Sequence, residues 1–248
     1  MPPQRAEKKD TSALYTPAAI VIAGIIIGAG LLFGLRGTGA AAPAAGTTQP
    51  TVAVNIKDVK SAGEPFIGSV SAPVTLAFWS DYQCPFCKAF EVGGVAGIPG
   101  DPALPQIIKT YVDTGKVKIL FKDFAFLGND SITAGEYGRS IWKLYPDQFF
   151  AWRTAMYTAQ DQEGDQGFGN AETIDALIQS KFPTMDGAKI RADIAANKSA
   201  YDAAMAADEA EGQHFGIQGT PGFITGTTEI DGAQAFAAFQ AAIDAQLK

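Results

Sequence analysis

Basic residues, histidine and cysteine are all scarce in this chain of 248 residues. Lysine and arginine total 19 against 26 acidic residues, for a net charge of −7. Nucleic acid is therefore excluded as a partner, because binding it requires a basic face that neutralises phosphates. The single histidine, His214, and the two cysteines, Cys84 and Cys87, make three ligands where an all-Cys/His structural zinc site takes four. Two cysteines also exclude a disulfide-dense miniature scaffold. With 47% hydrophobic and 18% charged residues the chain is a folded protein and not a disordered one, and it carries no internal repeat.

Charge is missing altogether between Asp10 and Arg36. Within that gap residues 17–35 read PAAIVIAGIIIGAGLLFGL. As a helix this segment is about 28 Å long, close to the hydrocarbon thickness of a bilayer. Arg5, Lys8 and Lys9 precede it, whereas only Arg36 follows closely. The positive-inside bias then sets residues 1–16 in the cytoplasm and everything past Arg36 outside. A cleavable signal peptide is the rival: its apolar part is shorter than this one, but Ala40-Ala41-Ala42 and Ala42-Pro43-Ala44 offer small-residue cleavage patterns. Either way the main domain is exported, and an uncleaved anchor contacting the lipid bilayer is the expectation. Residues 36–58 form a linker whose first part, GTGAAAPAAGTTQP, can bury almost nothing. Past Arg36 there are 15 basic and 24 acidic residues, so the exported part carries −9. Residues 59–248 suffice for one well-buried core.

In that domain Val74-Thr75-Leu76-Ala77-Phe78-Trp79 is an apolar run of strand formers, and Cys84 to Glu91 has helix-compatible spacing. A second strand is expected over residues 117–124, with the end of a helix before it at 107–112. The result is a strand–helix–strand unit, parallel and right-handed. Residues 131–213 are helical, divided by Pro146, and too long for one crossover, so they form a helical subdomain. Ile190, Ile194, Tyr201 and Met205 share a face that Asn197 weakens, and Gly212 is read as the stop. Residues 222–226 and 228–230 then suit a hairpin. A last amphipathic helix carries Phe236, Phe239, Ile243 and Leu247 on one side.

The chemistry concentrates at Cys84-Pro85-Phe86-Cys87. Two residues three apart on a helical turn lie about 5–5.5 Å apart, within disulfide range. As a staple this bridge is poor: closing four residues gives about 2 kcal/mol by chain entropy, against about 4.7 for a hundred-residue loop. As a reactive centre the spacing makes sense. Cys84 at a helix N-terminus has free N–H groups to stabilise a thiolate, and Cys87, one turn in and less exposed, can attack a mixed disulfide formed on Cys84. Pro85 in the first turn costs no hydrogen bond. An inert local disulfide and a metal pair with distant carboxylates are the weaker alternatives. A further feature is Gly219-Thr220-Pro221-Gly222-Phe223, where a proline opening a strand belongs to an edge or a cis turn.

The stretch from Ala72 through Cys84-Pro85-Phe86-Cys87-Lys88, followed by Lys122-Asp123-Phe124 and Gly219-Thr220-Pro221, resembles the DsbA-like thiol–disulfide oxidoreductases in their membrane-anchored or secreted bacterial form. The similarity runs from about Val59 to the C-terminus, with the three motifs in the family's order. It implies an α/β thioredoxin fold with a helical insertion at about 131–213, here preceded by one transmembrane helix. It also implies that Cys84 exchanges, that Cys87 resolves, and that Thr220 and Pro221 lie against the pair and bind an extended substrate as an added strand. The redox-active Cys84–Cys87 disulfide then stands in place of any cofactor or metal. The implied partners are exported proteins bearing thiols and a membrane redox protein that re-oxidises the pair. Disulfide oxidation is the leading expectation; a reductase or isomerase, or a non-catalytic binding or chaperone module, are the alternatives.

Two features depart from the family. Four glycines and two prolines between Gly93 and Pro102 interrupt the helix that usually continues from the CxxC, either shaping substrate access or forming a neutral surface loop. Phe86 stands where strongly oxidising members carry His, so the Cys84 pKa should be less depressed. Elsewhere, His214 is read as ending a helix or lying at the surface. Asp161, Glu163, Asp165 and Glu172 mimic a calcium loop whose usual glycine is Gln166, and read as solvated. Trp142, Tyr145, Phe149, Phe150, Trp152 and Tyr157 are expected to pack the helical subdomain, and Asp208-Glu209-Ala210-Glu211 to be a solvated helix face.

Overall fold

The structure is a computed structural model that describes residues 53–161 and 167–248. The apolar segment 17–35, most of the linker and the Glu163, Asp165 and Gln166 positions of the calcium-like loop lie outside the described residues. No helix of the described part is long and apolar enough to cross a membrane.

Apolar strands that bury both faces belong in the middle of a sheet. Strand β2 (Val74–Ser80) is such a strand, with every side chain but Thr75 buried, and so is β3 (Val117–Asp123) apart from its polar positions Lys118 and Asp123. They pair in parallel from Val74 opposite Val117 to Ser80 opposite Asp123. The hairpin of β4 (Gly222–Thr225) and β5 (Thr228–Asp231) adds antiparallel on the other side of β2, and the two-residue β1 (Phe66–Ile67) on the other side of β3. The five-stranded order is β1-β3-β2-β4-β5. Because β2 and β3 run parallel and β4 runs against them, the end of β2, the end of β3 and the start of β4 meet at one edge of the sheet. The Cys84 turn, Asp123-Phe124 and Pro221 meet there.

Period-2 alternation gives the sheet two apolar faces. Leu76, Phe78, Ile119, Phe121 and Phe223 point into the larger core, packed under α1 (Pro85–Glu91), α2 (Ala103–Ile107, continued by a π turn to Val112) and α7 (Phe236–Asp244). Ala77, Trp79, Leu120 and Ile224 build a smaller core on the opposite face with Val59, Phe215 and Ile217. Val54 and Ile56 pack against that second core, and the Ile56 N–H donates to Gly226 O at 2.7 Å, so ordered packing begins a few residues before Val59.

The helical segment consists of α3 (Asn129–Leu144), α4 (Pro146–Ala159), α5 (Ala171–Lys181) and α6 (Gly187–His214). Pro146 opens α4 as the first residue after the break. The aromatic group packs as expected: Phe149, Trp152 and Tyr157 are buried, with Trp142, Tyr145 and Phe150 against them. Two expectations for α6 are overturned. Gly212 does not end the helix, which runs to His214; a side chain there would put its Cβ 2.9 Å from the Trp79 indole, so the glycine serves close packing of helix on sheet. The acidic run is not a solvated face either. Asp208 is 3% exposed and pairs with Lys122 and Arg139, and Glu211 reaches the same Lys122. Ile190 and Met205 of the proposed stripe are buried, while the Asn197 amide turns back to Asp193. His214 is the last residue of α6 and is exposed.

Candidate active site

The turn from Ser80 to Cys84 leaves the sheet and has no ladder to satisfy its backbone, so other groups must. Asp81, buried just past the strand, does much of this: its carboxylate accepts from Gln83 N (2.8 Å), Phe126 N (2.9 Å), Leu127 N (3.1 Å) and Ser131 Oγ (2.6 Å). Burial raises its pKa, while those four donors act in the opposite direction. Cys84 is the N-cap of α1 with extended backbone, Pro85 is the first helical residue, and Lys88 N donates to Cys84 O at 3.1 Å.

Across the sheet edge, the Thr220–Pro221 peptide is cis and leads into β4 beside β2. This brings three of the sequence-selected residues together directly: Cys84 Sγ donates to the Thr220 carbonyl at 3.3 Å, with Pro221 next in the chain. Cys87 completes the group from one turn deeper in α1. Both cysteines are free thiols. Cys84 is 4% exposed and Cys87 0%, so the first sulfur is less open than its helix-terminal position suggested, with the Thr220 carbonyl against it. Between them Phe86 projects outward, half exposed.

The two thiols differ sharply in acidity. Cys84 is lowered from an ordinary 9.0 to about 7. The Cys87 thiol donating to it is the largest cause. Burial opposes it, and the Thr220 side chain and the N–H groups of Cys87 and Phe86 assist. Cys87 is pushed well above the ordinary thiol range, first by burial and then by serving as that donor. A nucleophile or leaving group close to neutral thus sits over a sulfur that stays protonated. The loop at Gly93–Pro102 does interrupt the helix: α1 ends at Glu91, and Gly93 and Gly94 both take positive φ before α2 begins at Ala103. His214, in contrast, stacks edge-on against Phe215.

Several side chains at the site are not among the sequence-selected site residues. Gln160, the C-cap of α4, is buried and donates through Nε2 to Tyr82 O (2.7 Å) and Cys84 O (3.1 Å). Lys88 Nζ in turn donates to Gln160 O at 2.6 Å. Tyr157 Oη donates to Asp81 O at 3.1 Å, and Gln83 Nε2 to Phe168 O at 3.0 Å. Below them Arg153 is wholly buried against Glu91, with Nε to Oε1 at 2.8 Å and Nη2 to Ser80 Oγ at 2.9 Å. Its guanidinium lies over Phe121 (4.4 Å), Phe78, Tyr82 and Tyr157. Among the described residues no cluster of His, Cys, Asp or Glu could hold a metal ion.

The chain is similar to known proteins in sequence and in fold. The Thioredoxin family model matches residues 60–245. The probable disulfide bond formation protein D of Bacillus anthracis is 26% identical over 183 residues, 73% of this chain and 77% of that protein. Disulfide bond formation protein D of Bacillus subtilis is 33% identical over 98 residues, 40% of each. Among solved structures, oxidised BdbD from Bacillus subtilis has a TM-score of 0.63 at 25% identity, covering 75% of this chain and 93% of that one. The thiol-disulfide exchange protein alpha-DsbA2 from Wolbachia pipientis shares the fold, with a TM-score of 0.61 at 21% identity over 75% and 88% of the two chains.

Proposed function

Because the chain belongs to the thioredoxin family and is a DsbA-like thiol–disulfide oxidoreductase, we propose that it works outside the cytoplasm as an oxidase, placing disulfides in exported proteins through Cys84 and Cys87. The observation that carries this reading is a pair of sulfurs of opposite acidity, the more acidic one in contact with the Thr220 carbonyl.

The chemistry runs as two exchanges. With the pair oxidised, a client thiolate attacks the Cys84 sulfur; a client–Cys84 bond forms, the Cys84–Cys87 bond breaks, and Cys87 leaves with the electron pair and takes a proton. A second client thiolate then attacks the client sulfur of the mixed disulfide and expels the Cys84 thiolate. Two electrons have passed to this chain and the client holds a new disulfide. The lowered pKa of Cys84 makes it the better leaving group in this second step, which favours the oxidising direction. The client's extended backbone pairs with the Thr220–Pro221 loop as an added strand, which presents its cysteine to Cys84. A membrane redox protein accepts the two electrons and restores the pair. Residues 17–35 anchor the chain in the bilayer with the domain on the outer side, where disulfides persist.

Replacing Cys84 by Ser is expected to abolish client oxidation; an unchanged rate in C84S removes the catalytic assignment. Equilibration with glutathione decides the direction. An oxidase requires a potential more positive than about −250 mV, and a value near thioredoxin's about −270 mV identifies a reductase instead.

A further inference from the structure

The CxxC turn takes its hydrogen bonds from the helical insertion more than from the sheet. The carbonyls of Asp81, Tyr82 and Cys84 each accept from the C-terminal end of α4: the first from Tyr157 Oη, the other two from the single carboxamide of Gln160. Gln160 is rigid for this task. Its own N–H closes α4 on Met156 O at 2.9 Å, its side chain is buried, and its carbonyl is gripped by Lys88 from the second turn of α1. One residue thus holds three points of the active-site segment, at positions 82, 84 and 88, across more than seventy residues of chain.

We propose that Gln160 is a positioning residue for the exchange reaction, a clasp by which the insertion holds the Cys84 peptide in its reactive N-cap conformation. The proposal rests on the reading of Cys84 as the exchanging sulfur. Two carbonyl oxygens lie on either side of the peptide that carries this sulfur. Paired with the Gln160 amide, their partial negative charge is offset; left without that donor, Tyr82 O faces a buried space and Cys84 O keeps only the Lys88 N–H, an imbalance the turn relieves by rotating. Rotation carries the Cys84 sulfur off the Phe86 and Cys87 N–H groups and away from the Cys87 thiol, the groups that favour its ionised form. Either response makes the thiolate harder to form, although Gln160 never touches the sulfur's reaction partner.

The test is the pH profile of alkylation by iodoacetamide, with thiolate absorbance at 240 nm, on the reduced full chain. Gln160→Met keeps the volume and removes both donors. Its Cys84 titration is expected to move upward, slowing alkylation at pH 6 about three- to tenfold while the rate at high pH is retained. A role confined to stability lowers the unfolding temperature and leaves the midpoint where it was; that result in a folded Q160M overturns the proposal. Should Q160M fail to fold, Gln160→Glu keeps size and polarity but, once ionised, has nothing to donate. It is expected to move the midpoint further upward, and a parental midpoint in Q160E overturns the proposal equally. C84S in the same titration separates this question from the functional one. A near-neutral thiolate that persists in C84S removes the reading of Cys84 as the exchanging sulfur, whatever Q160M does.

Discussion

The buried polar groups around the Cys84 sulfur and those that tie the helical insertion down are built on opposite terms. The Cys84 sulfur and the carbonyls flanking it meet neutral partners: a carbonyl, amides and a second thiol. On the Trp79 face of the sheet they are charged. Lys122 of β3 meets Glu64, Asp208 and Glu211, and Arg139 of α3 meets Glu64, Asp123 and Asp208. A third site, Arg153 with Glu91, joins α4 to α1 under the aromatic rings. Buried charges hold the insertion to the sheet, where their mutual attraction offsets desolvation only as long as every partner is present. The reactive sulfur is tuned by dipoles instead, which lower its pKa to about 7 without fixing an ion beside it. Damage to the seam should therefore register as lost stability, and damage to the edge as altered reactivity.

Arg153→Met gives the largest expected effect. It strands Glu91 in the core, where breaking a buried pair costs about 3–5 kcal/mol, read as a lower midpoint in denaturant. Adding Glu91→Gln should recover much of that loss. If R153M instead changed Cys84 alkylation and spared stability, the division between seam and edge would fail. Cys87→Ala should do the reverse. Without its donor, Cys84 returns from about 7 toward 9.0, and alkylation near pH 6 slows about tenfold per unit, while unfolding of the reduced protein changes far less. Because the folded Cys84 pKa is depressed, the stability it confers on the reduced form is present above about 9 and disappears as pH falls through 7.

The smallest expected effect is a slope. Burial raises Glu64 and Glu91 from 4.5 to about 7, with Arg139 and Arg153 respectively pulling the other way, and burial also raises Asp81 and Asp123. A carboxyl whose folded pKa lies above its unfolded one adds stability at low pH that is lost as pH rises through 7. The unfolding midpoint should therefore climb as pH is lowered from 8 to 5.5, and E64Q should flatten part of that climb. A parent whose midpoint falls over the same interval would show that carboxylates of the opposite kind, such as the lowered Asp193, dominate.

Much of the fold is legible in the chain because its signals are local. The β2 and β3 runs, the Pro146 break, the hairpin and the CxxC–helix junction each depend on spacing within a dozen residues. The setting of Asp208 and Glu211 is not legible for the converse reason: an acidic pair on a helix looks the same whether it faces water or a lysine 86 or 89 positions away. Gly212 has the local look of a helix stop, while the Trp79 indole pressing on it is a distant cause that spacing does not show. Gln160 is an ordinary polar residue after an aromatic helix and carries no local mark at all.

What the chain determined by itself is the chemistry: two thiols one helical turn apart behind an apolar strand, and a proline that cannot continue a β-ladder. These follow from covalent geometry and short-range spacing. The tertiary structure alone decided which groups surround them. The Cys84 sulfur depends on a carbonyl 136 positions away and its backbone on an amide 76 positions away. Such partners are chosen by how helices and sheet pack, through interactions that act only once the chain has brought distant residues within about 3 Å.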